Sequence, residues 1–229
     1  MSRISRFVVA GWVLAVAAAP AMAVPDGPIA EAKPVTAAAP EGAMAARLAY
    51  NVGYEAFEKA QAAEAAAKGL TGAKAKAAQT TVMAGYREAR ERFQAATQAD
   101  PSLKEAWNLV GYTSRRLGDY DVSLAAYEKA LALNPTYSEA IEYRAEAYLA
   151  LNRIDDAKAA YLTLLAGSRG HAATLLAAMR DWVAQRRAQP AGVAKADIES
   201  LAQWIEERAA IAAQTASLAP DAVAVRDWH

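Results

Sequence analysis

The chain of 229 residues reads as an all-α protein. Three observations predict this. Alanine, the strongest helix former, is abundant while Gly and Pro cluster in a few segments. Apolar residues fall three and four apart rather than alternating. Large and small side chains also return together at a period of 34 residues, most plainly between Ala106 and Pro135. A unit of that size holds two helices and too little surface to bury its own apolar face, so successive units must stack.

Charge and cysteine content narrow the function classes. Twenty-five basic residues balance 25 acidic ones, so no global field draws in nucleic acid or an anionic membrane. The absence of cysteine excludes disulfides, thiol catalysis, thiolate metal sites and a lipidated N-terminal cysteine.

The first 23 residues form a separate element. Arg3 and Arg6 precede an apolar run from Phe7 to Ala19, then Pro20 and the small-residue triplet Ala21-Met22-Ala23. The run has 13 residues, where a spanning helix needs about 20. This predicts a signal peptide over 1–23, export and a periplasmic location, with an uncleaved anchor as the alternative. Cleavage would leave a net charge of about −2, from 23 basic and 25 acidic groups. Residues 24–42 contain four prolines and no periodicity, which predicts a flexible, disordered linker.

Helical patterning begins at Ala43. The first helix places Leu48, Val52 and Phe57 near one stripe and is broken by Gly69 to Gly72. The second carries Val82, Tyr86, Ala89, Phe93 and Ala96 on one face and stops at Asp100–Pro101, because proline disfavours the helical region for its predecessor. Two shorter helices flank Leu117 to Tyr120, and another pair runs from Ser138 to Gly167. Compared with the later units, the first is stretched by an insertion, which predicts a long hairpin projecting past the array. Residues 168–217 supply two more helices outside the 34-residue register, with Ile198, Leu201, Ile205 and Ala212 at helical spacing and Asp197 as N-cap. Terminal units of arrays must cover the last open face, so this pair reads as a cap, and 218–229 as a frayed tail.

The columns define the packing set. Ala89, Ser123 and Ala157 form a column of small residues. Phe93, Tyr127 and Tyr161 are the aromatic column, Ala96, Ala130 and Leu164 a third, and Pro101 returns as Pro135. In the preceding helices Gly111 is matched by Ala145, Ala106 by Ala140 and Trp107 by Ile141, with Tyr148 one helical turn beyond Ala145. The order Trp107, Gly111, Ser123, Tyr127, Ala130, Pro135 resembles the tetratricopeptide repeat (TPR), with Ser123 where the family has alanine. Arg169 stands where a third proline is expected, so the array is expected to change geometry there. The resemblance spans 104–165 well, 80–101 less well and 44–68 weakly. It implies a right-handed solenoid of antiparallel helix pairs over 43–167, in an exported bacterial-type TPR protein.

Reactive constellations are lacking. His171 has no acidic or second histidine partner at ligand spacing, and His229 is the last residue. No zinc-protease, phosphate-loop or nucleophile-elbow motif occurs. The adjacent pairs Asp155–Asp156 and Glu206–Glu207 face different directions on a helix. We expect no enzyme activity, metal or cofactor.

By the resemblance, the first helix of each pair lines an inner wall holding Glu105, Asn108, Tyr112, Arg115 and Arg116, then Glu139, Glu142, Glu146 and Leu149. The partner-binding candidates are Asn108, Tyr112, Arg115, Arg116, Glu142 and Glu146. Alternatively, Arg115 and Arg116 pair with Glu142 and Glu146 across the seam. The family's carboxylate clamp is not carried over, because Glu139 and Glu142 stand where basic groups are required. Trp107, Trp182 and Trp204 read as core or seam residues, and Lys59, Lys68, Lys74 and Lys76 as a solvated face or a partner contact.

These readings imply a non-catalytic adaptor or assembly factor of the cell envelope, binding a protein or peptide without nucleic acid or stable membrane insertion. The alternatives are a self-associating envelope scaffold, or a small-ligand protein using a cleft near Trp182.

Overall fold

The computed structural model describes residues 41–218, with side chains over 42–214; the expected signal peptide, nearly all of the linker and the tail lie outside them. Eight α-helices follow one another, and no strand occurs among the described residues. Helices α1 (Glu41–Ala67) and α2 (Gly72–Ala99) have 27 and 28 residues. At 1.5 Å per residue they make a hairpin roughly 40 Å long. The next pairs are half that length: α3 (Lys104–Leu117) with α4 (Tyr120–Leu133), and α5 (Ser138–Ala150) with α6 (Ile154–Gly167). Helices α7 (Arg169–Ala188) and α8 (Lys195–Leu218) close the chain.

Two boundaries differ from the sequence reading. Helix α1 starts at Glu41, two residues inside the expected linker. Helix α8 starts at Lys195, so Asp197 lies in its first turn and is not the N-cap. A carboxylate there still complements the positive end of the helix dipole.

The period of 34 residues is written into the turns as well as the core. Gly118 and Asn152 both adopt positive φ, at 84° and 59°, where each pair reverses. The amide of Asp119 donates to the Ser114 carbonyl and that of Arg153 to the Tyr148 carbonyl, at 2.9 and 2.8 Å. At the other junctions Asp100, Asn134 and Ser168 take near-identical extended conformations and donate to Ala96, Ala130 and Leu164. The Asp100 and Asn134 side chains then accept from the amides of Ser102 and Thr136, local turns that delay the next helix by four residues. After Ser168 no such delay occurs, and α7 begins at once.

Close approach explains the small residues. A Cβ placed on Gly111 would stand 2.5 Å from the Tyr127 ring, and one on Gly53 would stand 2.9 Å from Phe93. Ser123 is fully buried and donates its hydroxyl to the Gly111 carbonyl at 2.8 Å, so its polarity is satisfied inside the pair. Ala89, Phe93, Ala96, Tyr127, Ala130, Ala145, Ala157 and Tyr161 are all buried. Pro101 and Pro135 sit exposed on their turns, and Trp107 and Tyr148 are half-buried.

The stripe expected on α1 is corrected. Leu48 and Val52 are 67% and 37% exposed, whereas Ala46, Gly53, Ala56, Phe57 and Ala60 face inward. The helices of the long hairpin approach closely at alanine and glycine, between the larger Phe57, Tyr86 and Phe93; a Cβ on Gly85 would meet that of Ala60 at 2.9 Å. Ala212 of α8 is likewise exposed. Helices α5 to α8 share one apolar cluster built on Leu149, Tyr161, Leu164, Leu175, Met179, Trp182, Leu201 and Ile205. Trp182 is 1% exposed and donates its indole N–H to the Leu149 carbonyl at 2.6 Å. It packs within the cluster shared by α5 to α8. No described helix is long and apolar enough to cross a membrane.

Candidate functional site

Helices α3, α5 and α7 lie side by side, since α3 contacts α5 and α5 contacts α7 in addition to their own partners. Their facing sides form the inner wall, and helical spacing brings Asn108, Tyr112 and Arg115 of α3 against Glu142 and Glu146 of α5. Tyr112 is wedged edge-on between Phe57 and Tyr143, both 5.1 Å between ring centres. The Arg115 guanidinium lies 5.0 Å from the Tyr112 ring centre and pairs with Glu146 at 2.5 Å. Burial alone would lower the Arg115 pKa, but the Glu146 carboxylate outweighs it and holds the group above its ordinary range.

Arg116 turns the other way. It pairs with Glu64 of α1, which also accepts from the Tyr86 hydroxyl at 2.6 Å. Glu142 is thereby left to His171 at the start of α7, whose Nδ1 stands 2.6 Å from its carboxylate; Glu139 is 4.0 Å from Nε2. Burial raises the Glu142 pKa to about 7 against the pull of His171, and Glu146 one turn away adds to the rise. The structure thus corrects the expectation that His171 lacks an acidic partner. The partner comes from 29 residues upstream, through helix stacking that sequence spacing does not display.

The same network corrects the reading of the six partner-binding candidates as open contact groups. Asn108, Tyr112, Arg115, Glu142 and Glu146 are buried, and the Arg116 side chain is 8% exposed. The seam alternative is realised for Arg115 with Glu146 and replaced for Arg116 and Glu142. Of the inner-wall positions, Glu105 and Glu139 are half-exposed, and Leu149 is buried.

Above the network lies a rim that the sequence reading missed in part. Tyr50 and Tyr54 stack on α1 with ring centres 6.1 Å apart. Glu105 of α3 and Tyr137, which precedes α5, lie close enough to Tyr50 to perturb its titration or be perturbed by it. Burial, then neighbouring acid charge, pushes the Tyr137 phenol up. Lys104 bridges the rim, paired with Glu105 and 5.1 Å from the Tyr137 ring centre. The four-residue spacing of Tyr50 and Tyr54 was the available signal. Such a surface holds cationic and aromatic groups by carboxylates and ring faces. Among the described residues no cluster of three or more His, Asp or Glu side chains could hold a metal ion.

Tetratricopeptide-repeat family profiles match residues 104–137 and 126–159. No curated protein matches the chain. Among solved structures, the first TPR domain of Spaghetti (RPAP3), bound to the HSP90 peptide SRMEEVD, is similar at 17% identity and a TM-score of 0.42, covering 73% of this chain and 95% of that one. MamA is similar at 17% identity and 0.41, covering 60% and 77%. The TPR2B domain of yeast Sti1 in complex with an Hsp70 peptide aligns at 14% identity and 0.39, covering 72% and 98%. At these scores the likeness carries nothing about partner or role. The matched profiles run from the start of α3 into α6, where the columns and turns repeat, and residues 104–159 are thus similar to the tetratricopeptide repeat.

Proposed function

We propose that the protein is a non-catalytic adaptor of the cell envelope that binds a protein or peptide partner along the rim of its inner wall. The observation that carries this reading is the aromatic and acidic rim of Tyr50, Tyr54, Glu105, Tyr137 and Glu139, held above a closed polar interior. The interior pairs fix the spacing of the helices, so the rim is largely preformed, and a few central contacts supply most of the affinity. The envelope assignment rests on the signal-peptide pattern of residues 1–23.

Affinity capture from an envelope extract tests it, comparing the native chain with a Tyr54→Ser, Glu105→Lys variant. Loss of a defined protein with the variant, at unchanged melting temperature, supports the rim as the binding surface. Equal recovery by both chains rejects the rim, and no specific recovery by either rejects the adaptor. The exposed Met44, Leu48 and Val52 on α1 favour self-association as a second reading. Light scattering across concentration separates the two, because an adaptor of this kind stays monomeric.

A further inference from the structure

The face of α5 opposite the inner carboxylates looks out between α4 and α6. The two outer helices part there, leaving a half-open crevice of about 270 Å³. Leu131, Pro135, Ile141 and Ala160 supply apolar wall, and Arg144 and Tyr148 of α5 project into the same space.

Arg144 stands apart from the neighbouring arginines. Arg115, Arg116 and Arg153 each pair with a carboxylate, whereas Arg144 is in no ion pair among the described residues. Its contact is with the Tyr148 ring, 5.7 Å from the centre, and its Nε is buried without an acceptor. A guanidinium held in a recess with unspent donors is at a disadvantage that an anion removes. Asp156, also in the crevice wall, does not fill that role. It is bound to Arg153 at 2.7 Å, and Arg153 in turn lies 4.4 Å from the Tyr148 ring centre. The crevice wall therefore holds one guanidinium, Arg144, and one carboxylate, Asp156, which is already paired with Arg153 outside that wall.

Size sets the ligand. The volume equals that of about nine waters, room for one end group and too little for a nucleotide or a cofactor. We propose that this crevice binds a carboxylate bearing a short branched aliphatic group, with Arg144 as its counter-ion. The aliphatic part lies on Leu131, Ile141 and Ala160. Such a group is found on a small free acid or at the C-terminus of a polypeptide, and both present the same chemistry. The site is on the outer side of the array and is independent of the inner-wall rim.

Calorimetric titration of the full chain tests the proposal with three probes: 4-methylpentanoate, a tripeptide ending in a free leucine carboxylate, and the same tripeptide amidated. A dissociation constant of about 1 mM is expected for an acid, as befits one ion pair and one aliphatic group. Binding of the small acid alone identifies a free metabolite as the source, and binding of the peptide acid alone identifies a polypeptide tail. The amide should bind at least tenfold more weakly. Arg144→Gln should weaken the acid at least tenfold, and because no ion pair among the described residues is lost the variant should melt with the native chain. Ala159→Leu, which narrows the crevice and keeps Arg144, should weaken it as well. Equal binding of acid and amide, equal binding by native and Arg144→Gln chains, or no heat with either acid at about 10 mM overturns the proposal.

Discussion

The Glu142 carboxylate of α5 meets Nδ1 of His171 at 2.6 Å, joining the repeats to the C-terminal helices through a buried acid. Burial raises Glu142 from 4.5 to about 7, with Glu146 adding to the effect. Between those values the folded chain binds more protons at this site than the unfolded chain. Its contribution is complete below about pH 4.5 and is lost as pH rises through about 7. Glu142→Gln cannot titrate, so it should flatten the stability profile over this window, by up to about 3 kcal/mol. Urea midpoints of both chains at pH 5 and pH 7.5 check this. A variant whose pH dependence matches that of the native chain would show that another group governs the seam.

Arg115 and Glu146 are both nearly inaccessible, and they neutralise each other between α3 and α5. Arg115→Met leaves a buried carboxylate beside Glu142, a loss of about 3–5 kcal/mol. Arg115→Met with Glu146→Leu removes both charges and should recover most of that loss, since an apolar pair of similar volume is often no worse than a buried ion pair. Denaturant unfolding of the two single variants and the double variant closes the cycle. Additive losses would mean that the charges do not depend on each other.

Sequence periodicity was sufficient for the repeat columns because each column is a local rule. Gly111 must be small wherever Tyr127 is large, and both lie within one helix pair. The turns at Gly118 and Asn152 obey the same register. What periodicity did not disclose was which neighbour a long charged side chain would choose. Arg116 reaches back to Glu64 because the inserted hairpin extends that far, and Glu142 is then taken by His171. Those choices depend on how three units stack, not on any spacing within one. On α1, hydrophobicity itself misled: Leu48 and Val52 are strongly apolar, yet they face outward while Gly53, Ala56, Phe57 and Ala60 meet α2, with close helix approach at Gly53 and Gly85.

Gly111→Ala weighs two opposing effects. Alanine is the better helix former by about 1 kcal/mol. The added methyl would stand 2.5 Å from a ring that is itself fully buried, and overpacking of that kind costs about 1–3 kcal/mol. The net expectation is a loss of about 1 kcal/mol or more in urea unfolding, removed in a Tyr127→Leu background where the obstructing ring is gone. A more stable Gly111→Ala chain would show that Tyr127 can move aside at no penalty.

The proline column offers the reverse test, a gain. Asp100 at φ −139° and ψ 95° and Asn134 at −145° and 97° each precede a proline, and Ser168 at −150° and 91° precedes Arg169. The backbone before position 169 is therefore already in a conformation that this chain places before proline three times, the third at Gln189 (−141° and 96°) before Pro190. Arg169 is also the first residue of α7, where the amide hydrogen has no partner within the helix and the fixed φ of proline suits the turn. Arg169→Pro should leave the native contacts in place and restrict the unfolded chain, raising stability by about 0.4–1 kcal/mol. Thermal and urea unfolding of the variant measure this directly. A destabilised variant would mean that the Arg169 amide or side chain holds α7 in place, and that the third junction is closed by a different interaction from the first two.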